Sequence, residues 1–476
     1  MTRLRVLFCT PEFADYVQVG GLGAVSAALP RALRPIADVR VILPGYRQVL
    51  EALPVTEPVA TCPAMAGMPA CSIVRASTAD GLALYVVVCP ELYDRPGGPY
   101  GDEAGRDWPD NDVRFARYAA AAAWLAEGGC PSWRADVVHA NDWPCGLIPA
   151  YLAWSGTGIP TLFTVHNLAY QGLFSKDVLG TLGVPSSAFD VHGVEFHGRM
   201  SFMKSGLYYA SHLSTVSANY AQEILTEQHG CGFEGLLKTR ASEKRLTGIL
   251  NGIDESWDPR NCPDLTPPFA PGQWGHRRLN AHSVRREFGL AVSRGPLFGL
   301  VARLVHQKGI DLVAQTSEAI AQSGGQLVIL GAGEPEIVRD LERVRRRHPG
   351  AIGVSTHFRD GLARRIFAGS DFTLLPSRFE PCGLSQMYAQ RLGSLPIAHK
   401  TGGLADTISD GHTGFLFNRA SPEAFLGAIC RAFAVFGRKK ELDAMRRRAM
   451  ACDYAWGKSA GRYGSLYQKL QLRQSA

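Results

Sequence analysis

The stretch Ser377-Arg378-Phe379-Glu380-Pro381-Cys382-Gly383-Leu384-Ser385-Gln386 sets a carboxylate just ahead of a helix start. An apolar run, Phe372 to Leu375, leads into this turn, and a helical pattern opened by glycine follows from about Gly383 to Leu392. The first amides of a helix lack intrahelical acceptors and lie at the positive end of its dipole, so they suit a phosphate, while a carboxylate suits sugar hydroxyls. Side by side, the two suit a nucleotide sugar. A crossover helix with a surface glutamate would give the same short motif, so its meaning depends on the rest of the chain. A second turn of this kind, Gly20-Gly21-Leu22-Gly23, follows the first apolar run and opens a helix; glycines there let backbone approach a phosphate or sugar closely. Its spacing is not G-x-G-x-x-G, and the next strand ends in Leu43-Pro44-Gly45-Tyr46 without an acidic residue, which excludes the dinucleotide fingerprint.

Short apolar runs alternate with helical patterns along the chain, as parallel α/β sheets require. The first series of strands is expected at Arg5 to Cys9, Val39 to Leu43, Leu82 to Cys89, Asp136 to Ala140, Thr161 to His166 and Leu213 to Val216. A second series is expected at Leu297 to Ala302, Gln326 to Leu330, Gly353 to His357, Phe372 to Leu375 and Leu395 to Ala398. The segment 254–295 between them is rich in Pro, Gly and Asn with weak periodicity and reads as a linker or hinge. The expected architecture is two doubly wound, Rossmann-like α/β domains, residues 1–253 and 296–454, facing each other across a cleft lined by the carboxyl ends of their strands.

The chain has 476 residues, enough for two or three domains each with its own core, with 46% apolar and 20% charged residues. It contains no apolar run long enough to span a membrane, and its opening strand is too short for a signal-peptide core, so a cytoplasmic protein without a membrane partner is expected. The eleven cysteines are scattered and include no Cys-x-x-Cys, which argues against a disulfide framework and a zinc site. The net charge of +7 favours a phosphorylated substrate slightly. Arg343, Arg345, Arg346 and Arg347 lie on a helical pattern without interleaved aromatics and read as a solvated face, not a nucleic-acid patch.

Six segments in order resemble the bacterial glycogen synthases and plant starch synthases: Val19 to Gly23, His139-Ala140-Asn141-Asp142-Trp143, His166-Asn167-Leu168-Ala169-Tyr170-Gln171-Gly172, Asn251-Gly252-Ile253-Asp254, Arg303-Leu304-Val305-His306-Gln307-Lys308-Gly309, and Phe379 to Gln386. The likeness runs from about Val6 to Trp456. It implies a GT-B glycosyltransferase that moves glucose from ADP-glucose, with retention, to the non-reducing end of an α-1,4-glucan such as glycogen. It also implies a C-terminal helix, 455–476, that packs back on the N-terminal domain. No cofactor or metal is required by this scheme, in which a leaving phosphate oxygen helps deprotonate the incoming hydroxyl.

By the same resemblance, Arg303 and Lys308 hold the donor diphosphate, where fixed cations stabilise charge that grows as the glycosidic bond breaks. Glu380 contacts the donor sugar and supports positive charge at the anomeric carbon. The backbone at Cys382, Gly383, Leu384 and Ser385 receives phosphate and hydroxyls, as do Gly20 and Gly21. His166 and Asn167 meet the donor from the first domain, and Asp142 bonds sugar hydroxyls. Glu12 and Tyr170 are placed on the acceptor side or as loop-ordering residues. Two positions in the donor-side loop depart from the family: Gln18, counted with the donor-binding residues, stands where it has Lys, and Ala24 where it has Asp. Three readings follow. One is an ADP-glucose-dependent glucan synthase. The second is a related transferase with altered donor or acceptor. The third is a weakly catalytic glucan-binding relative. A retaining glycosidase would also use two carboxylates but has no use for a diphosphate clamp.

Overall fold

A computed structural model describes residues 3–53 and 55–474. They form two compact units, 1–252 with 456–476, and 253–455.

Unit 1 carries strands β1 (Leu4–Cys9), β2 (Ala37–Pro44), β3 (Glu57–Cys62), β4 (Cys71–Ser77), β5 (Ala83–Val88), β6 (Val137–Asn141), β7 (Thr161–Val165), β8 (Leu173–Phe174), β9 (Glu195–Phe196), β10 (Arg199–Ser201), β11 (His212–Thr215) and β12 (Leu246–Gly248). The main sheet has nine strands in the order β12-β11-β7-β6-β1-β2-β5-β4-β3, and β8, β10 and β9 make a small separate sheet. From β12 to β5 every pairing is parallel. Helices cover both faces of such a sheet, so its central strands are apolar throughout: β6 and β7 are buried at every residue. The edge pair β3–β4 is antiparallel, as is β4–β5. β4 alternates buried and exposed residues over Cys71 to Ile73 and loses the alternation at Val74 and Arg75. This hairpin was not expected from sequence, because Cys, Ser and Arg at its alternating positions mask the strand pattern.

Order reverses at β1, where β2 lies on one side and β6 on the other. Asn141, at the end of β6, donates its amide to the Cys9 carbonyl at the end of β1 (3.0 Å) and locks the two ends together. Buried His139 bonds Thr164 of β7 (2.6 Å) and the hydroxyl of Tyr467 (2.8 Å) on the helix Trp456–Gln474. That helix therefore sits in unit 1; residues 475 and 476, which the sequence reading included in it, lie outside the described residues.

Unit 2 has β13 (Leu297–Val301), β14 (Gln326–Leu330), β15 (Ile352–Ser355), β16 (Phe372–Leu375), β17 (Leu395–His399) and β18 (Phe415–Phe417), all parallel in the order β15-β14-β13-β16-β17-β18. Its order reverses at β13. The segment 254–295, expected as a linker, belongs to this unit and contains the 14-residue helix Trp274–Glu287. The helix was hidden because its inward face carries polar groups. Arg277 and Asn280 are buried beside Trp274, Ala281 and Val284, and Asn280 uses its amide on the Thr266 N–H (3.1 Å) and the Pro267 carbonyl (2.8 Å).

Candidate functional site

The residues that could do chemistry fall at the carboxyl ends of strands next to the two points of order reversal, where open α/β sheets bind ligands. They form two constellations, one in each unit.

In unit 1, the loop after β1 carries Glu12, Gln18, Gly20 and Gly21. Buried Glu12 accepts hydrogen bonds from the Val19 amide (2.8 Å), the Gly20 amide (3.1 Å) and the Tyr100 hydroxyl (2.7 Å), so it shapes the glycine turn. Gly20 precedes the 13-residue helix Gly21–Leu33, which has no side-chain cap. A Cβ at Gly20 or Gly21 would meet nothing within 4 Å. The chain's own packing thus does not require glycine there, and the space beside the helix start is open to a ligand. Exposed Gln18 donates to the Gly20 carbonyl (3.1 Å).

Asp142 follows β6 and is only 6% exposed. Its φ of 61° and ψ of 177° fall in a region left almost wholly to glycine, a strain of about 1–3 kcal/mol. Burial pushes its carboxyl up to about 8; Glu12 adds to the rise, and hydrogen bonds from the Trp143 and Asn167 amides oppose it. At neutral pH Asp142 is therefore mainly protonated. His166, just past β7, meets the Asn141 carboxamide oxygen (3.0 Å). Because the Asn141 NH2 group is committed to the Cys9 carbonyl, its oxygen must accept, so His166 carries its proton on Nε2 and presents Nδ1 as an acceptor. Burial pushes the His166 pKa down to about 3, which keeps the ring neutral. Asn167 accepts from the Ala169 amide (3.1 Å), and Tyr170 is 47% exposed.

In unit 2, Arg303 lies exposed two residues past β13, and Lys308 closes the short 3-10 turn His306–Lys308. The Lys308 ammonium sits 2.5 Å from Oε2 of Glu380, which also accepts from the Ser377 hydroxyl (3.0 Å). The loops after β13 and β16 are stitched together around this pair: Arg378 clamps Asp311 with two bonds of 2.7 Å, the Arg378 amide donates to the Gln307 carbonyl (2.9 Å), and the Gln307 side chain donates to the Phe379 carbonyl (3.2 Å). The Thr401-Gly402-Gly403 turn backs the loop. A Cβ at Gly402 would lie 1.9 Å from the Glu380 carbonyl oxygen, and one at Gly403 would lie 2.1 Å from that of Cys382, so only glycine lets the two backbones touch. The helix after Glu380 is shorter than its sequence pattern, Ser385–Arg391, with Leu384 at the N-cap position and Gly383 turned by a φ of 70°. Buried Gln386 holds that turn through the carbonyls of Cys382 (3.0 Å) and Gly383 (2.9 Å).

The structure thus places Arg303, Lys308, Glu380, Cys382, Gly383, Leu384 and Ser385 in unit 2, where it joins Lys308 to Glu380, and Glu12, Gln18, Gly20, Gly21, Asp142, His166, Asn167 and Tyr170 in unit 1. Sequence reasoning missed Tyr100, Asn141 and Ser377, which orient Glu12, His166 and Glu380. It also missed Phe358, 56% exposed three residues past β15. Solvent exposure of a large aromatic ring was the missing signal, and a sequence does not show it. An Asp-x-Asp spacing occurs at Asp110-Asn111-Asp112, but Asp110 is bound bidentately by Arg95 (2.7 and 2.6 Å). Among the described residues no group of three His, Cys, Asp or Glu side chains is arranged to hold a metal ion, and no helix is long and apolar enough to cross a membrane.

Comparison with known proteins bears on this arrangement. A family profile described as "Starch synthase catalytic domain" matches residues 5–239, and one described as "Glycosyl transferases group 1" matches residues 295–434. The chain is 61% identical over 457 residues to "Glycogen synthase 1" of Bradyrhizobium diazoefficiens, covering 96% of this chain and 99% of that protein. It is 53% identical over 467 residues to a glycogen synthase of Pseudomonas fluorescens, covering 98% and 96%. The catalytic domain of starch synthase IV from Arabidopsis thaliana, solved with ADP and acarbose, superposes with a TM-score of 0.89 at 30% identity over 99% of this chain and 100% of that one. A sucrose-phosphate synthase from Thermosynechococcus elongatus, at 18% identity and a TM-score of 0.60, shares the fold. With the two α/β units of the GT-B fold and a family match over both, the chain belongs to the glycogen synthase and starch synthase family of glycosyltransferases.

Proposed function

We propose that this chain is a cytoplasmic glycogen synthase that transfers glucose from ADP-glucose to the non-reducing end of an α-1,4-glucan with retention of configuration. The observation that carries the reading is the Lys308–Glu380 pair at the point of order reversal in unit 2, with Arg303 in the same loop after β13 as Lys308. Two cations and a carboxylate there match a donor that is anionic at one end and a sugar at the other. As the bond to the anomeric carbon breaks, negative charge collects on the leaving diphosphate, and Arg303 and Lys308 stabilise it. Glu380, aligned by Ser377, faces the sugar and offsets positive charge at its anomeric carbon. The backbone of Cys382 to Ser385 takes the phosphate and sugar oxygens, and the exposed ring of Phe358 gives a nucleobase a surface on which to stack.

Unit 1 supplies neutral groups under this reading. Protonated Asp142 donates to a sugar oxygen, His166 accepts a sugar hydroxyl at Nδ1, and Asn167 hydrogen-bonds beside it. Gly20 and Gly21 admit the donor to the uncapped helix start that Glu12 holds in shape, and Tyr170 offers its exposed ring to the glucan.

The test is incorporation of labelled glucose into glycogen from ADP-glucose and from UDP-glucose, with Glu380→Ala and Gln18→Lys alongside the parent. Incorporation from ADP-glucose that Glu380→Ala abolishes supports the proposal. Incorporation from UDP-glucose alone transfers it to a synthase with an altered donor. Glycogen binding with no incorporation from either donor refutes it.

A further inference from the structure

Three cysteines outside the candidate site stand in one row across the edge of the unit 1 sheet. Cys62 of β3 lies directly opposite Cys71 of β4, and the β4–β5 register, which pairs Ser72 with Val88, carries the row on to Cys89. All three are free and buried. Arg117, wholly buried on the helix Asn111–Trp124, lays its guanidinium on this row: Nη2 is 2.6 Å from the Cys62 sulfur and Nη1 donates to the Pro63 carbonyl (3.1 Å). Its Nε has no hydrogen-bond partner. No acidic side chain pairs with Arg117 among the described contacts, so the counter-charge available to this buried cation is a thiolate.

We propose that Cys62 and Cys71 are a peroxide-responsive thiol pair that closes to a cross-strand disulfide, with Cys71 as the attacking sulfur, Cys62 as the resolving one and Arg117 as the group that holds the thiolate. Directly opposed residues of an antiparallel pair have Cα atoms about 4.5–5.5 Å apart, within the span a disulfide accepts. The hydrogen bond from the Cys62 thiol, followed by the pull of Arg117, lowers Cys71 to about 7. Cys89 is pushed up to about 11 by burial and spends its thiol on the Ala70 carbonyl, so it stays a spectator.

In the first step the Cys71 thiolate attacks one oxygen of hydrogen peroxide, the O–O bond breaks and hydroxide leaves, giving a sulfenic acid. In the second, the Cys62 sulfur attacks the sulfenic sulfur, the S–O bond breaks, and the Cys62 proton goes to the departing oxygen. Two thiols and one peroxide become one disulfide and two waters. The sulfurs are oxidised and the peroxide oxygens reduced. β3 is the sheet's outer strand, and half of its residues are exposed, so opening of this hairpin admits the small oxidant.

The test treats the full chain with dilute hydrogen peroxide, alkylates remaining thiols and maps the digest. A peptide linking Cys62 to Cys71, with loss of two hydrogens by intact mass, is the expected product. Cys62→Ser should instead leave a sulfenic acid on Cys71 that dimedone captures. Arg117→Leu should slow reaction at Cys71 by a few-fold, short of the roughly ten-fold that a full return from a pKa of about 7 to the ordinary value of about 8.5 would give, because the Cys62 hydrogen bond remains; Arg117→Lys should keep most of the rate. The inference is overturned if Cys62 and Cys71 both remain alkylatable while exposed Cys231 and Cys430 are oxidised, or if a folded Arg117→Leu reacts as fast as the parent. Should Arg117→Leu not fold, the Arg117→Lys rate and the Cys62→Ser adduct decide alone: absence of the adduct overturns it.

Discussion

Replacing Asp142 by Asn should stabilise the protein, and by more as pH rises. The folded pKa of about 8 lies well above the value near 3.9 of an unfolded chain. The folded state therefore binds more protons than the unfolded state from about pH 4 to about pH 8, and stability must fall with rising pH across that window. At about 1.36 kcal/mol per pH unit, the ceiling on the change between about pH 5 and pH 8 is roughly 4 kcal/mol. Local relaxation and water entry reduce such penalties, so about 2 kcal/mol is the expected size. Asn keeps the acceptor for the Trp143 amide and tolerates positive φ better than most residues, so the substitution removes the titration while leaving the turn in place. Urea midpoints for parent and variant at about pH 5, 6.5 and 8 give the difference directly. A gap that stays constant with pH, within about 0.5 kcal/mol, would refute the assignment of a raised pKa to Asp142. Asp142→Gly serves as the control for strain: it lacks the same carboxyl, so its difference from Asp142→Asn, a gain of about 1–3 kcal/mol from relaxing φ, should not change with pH. Catalysis supplies a second readout. If the working form of Asp142 is protonated, Asn retains a donor at that place and should keep more activity than Ala.

Three further outcomes are expected. Since burial holds His166 at about 3, the kcat/KM profile between about pH 5 and 8 should show no inflection that belongs to it; an inflection near pH 6.5 that disappears in His166→Asn would contradict this. Lys308→Met leaves the nearly buried Glu380 carboxylate without its cation and should cost roughly 1–3 kcal/mol in stability and about two to three decades in kcat, measured by urea denaturation and glucose transfer. Glu12→Ala removes the acceptor of three hydrogen bonds that shape the glycine turn, so stability should drop by about 2–4 kcal/mol and the KM for the nucleotide sugar should rise, while Tyr100→Phe, which removes one of the three, should cost about 1 kcal/mol in the same denaturation assay.

The parallel cores were legible because strands covered on both faces are apolar at every position: β6, β7, β13 and β14 are buried throughout, and a short run of such residues stands out against helical periodicity. The hairpin β3–β4 and the helix Trp274–Glu287 were not, because β3 and β4 mix exposed residues such as Glu57, Ser72 and Arg75 with buried ones, and the buried side of the helix carries Arg277 and Asn280, which a pattern counts as polar. A group's charge state was also out of reach. Lys308 and Glu380 are 72 residues apart in sequence, and their contact exists only because β13 and β16 are neighbours. Asp142 and Glu12 influence each other for the same reason: β6 and β1 are paired. Nor does sequence reveal that Asp142 takes a backbone shape favoured by glycine, since the residue type argues against it.

The departures at Gln18 and Ala24 acquire a physical reading from the loop they occupy. A lysine and an aspartate six residues apart could order the turn by pairing with each other, but here order comes from elsewhere. Glu12 takes the Val19 and Gly20 amides, and Gln18 fastens the turn from outside through the Gly20 carbonyl. The two amides that Glu12 takes are thereby withdrawn from any ligand. What the turn still offers an anion is the first turn of the helix Gly21–Leu33, which is a partial charge at its N-terminus and no formal one. The full positive charges among the candidate donor groups therefore lie in unit 2, on Arg303 and Lys308, and Lys308 is already neutralised in part by Glu380. Gln18→Lys would add a cation at an exposed position, where salt screens it over about a Debye length, so its effect on donor binding should weaken with ionic strength whereas that of Lys308 should not. That contrast separates a lost charge from a lost shape as the meaning of the sequence departure. The hydrogen bonds from Val19 and Gly20 to Glu12, and from Gln18 to Gly20, hold the turn in this chain without a Lys–Asp pair.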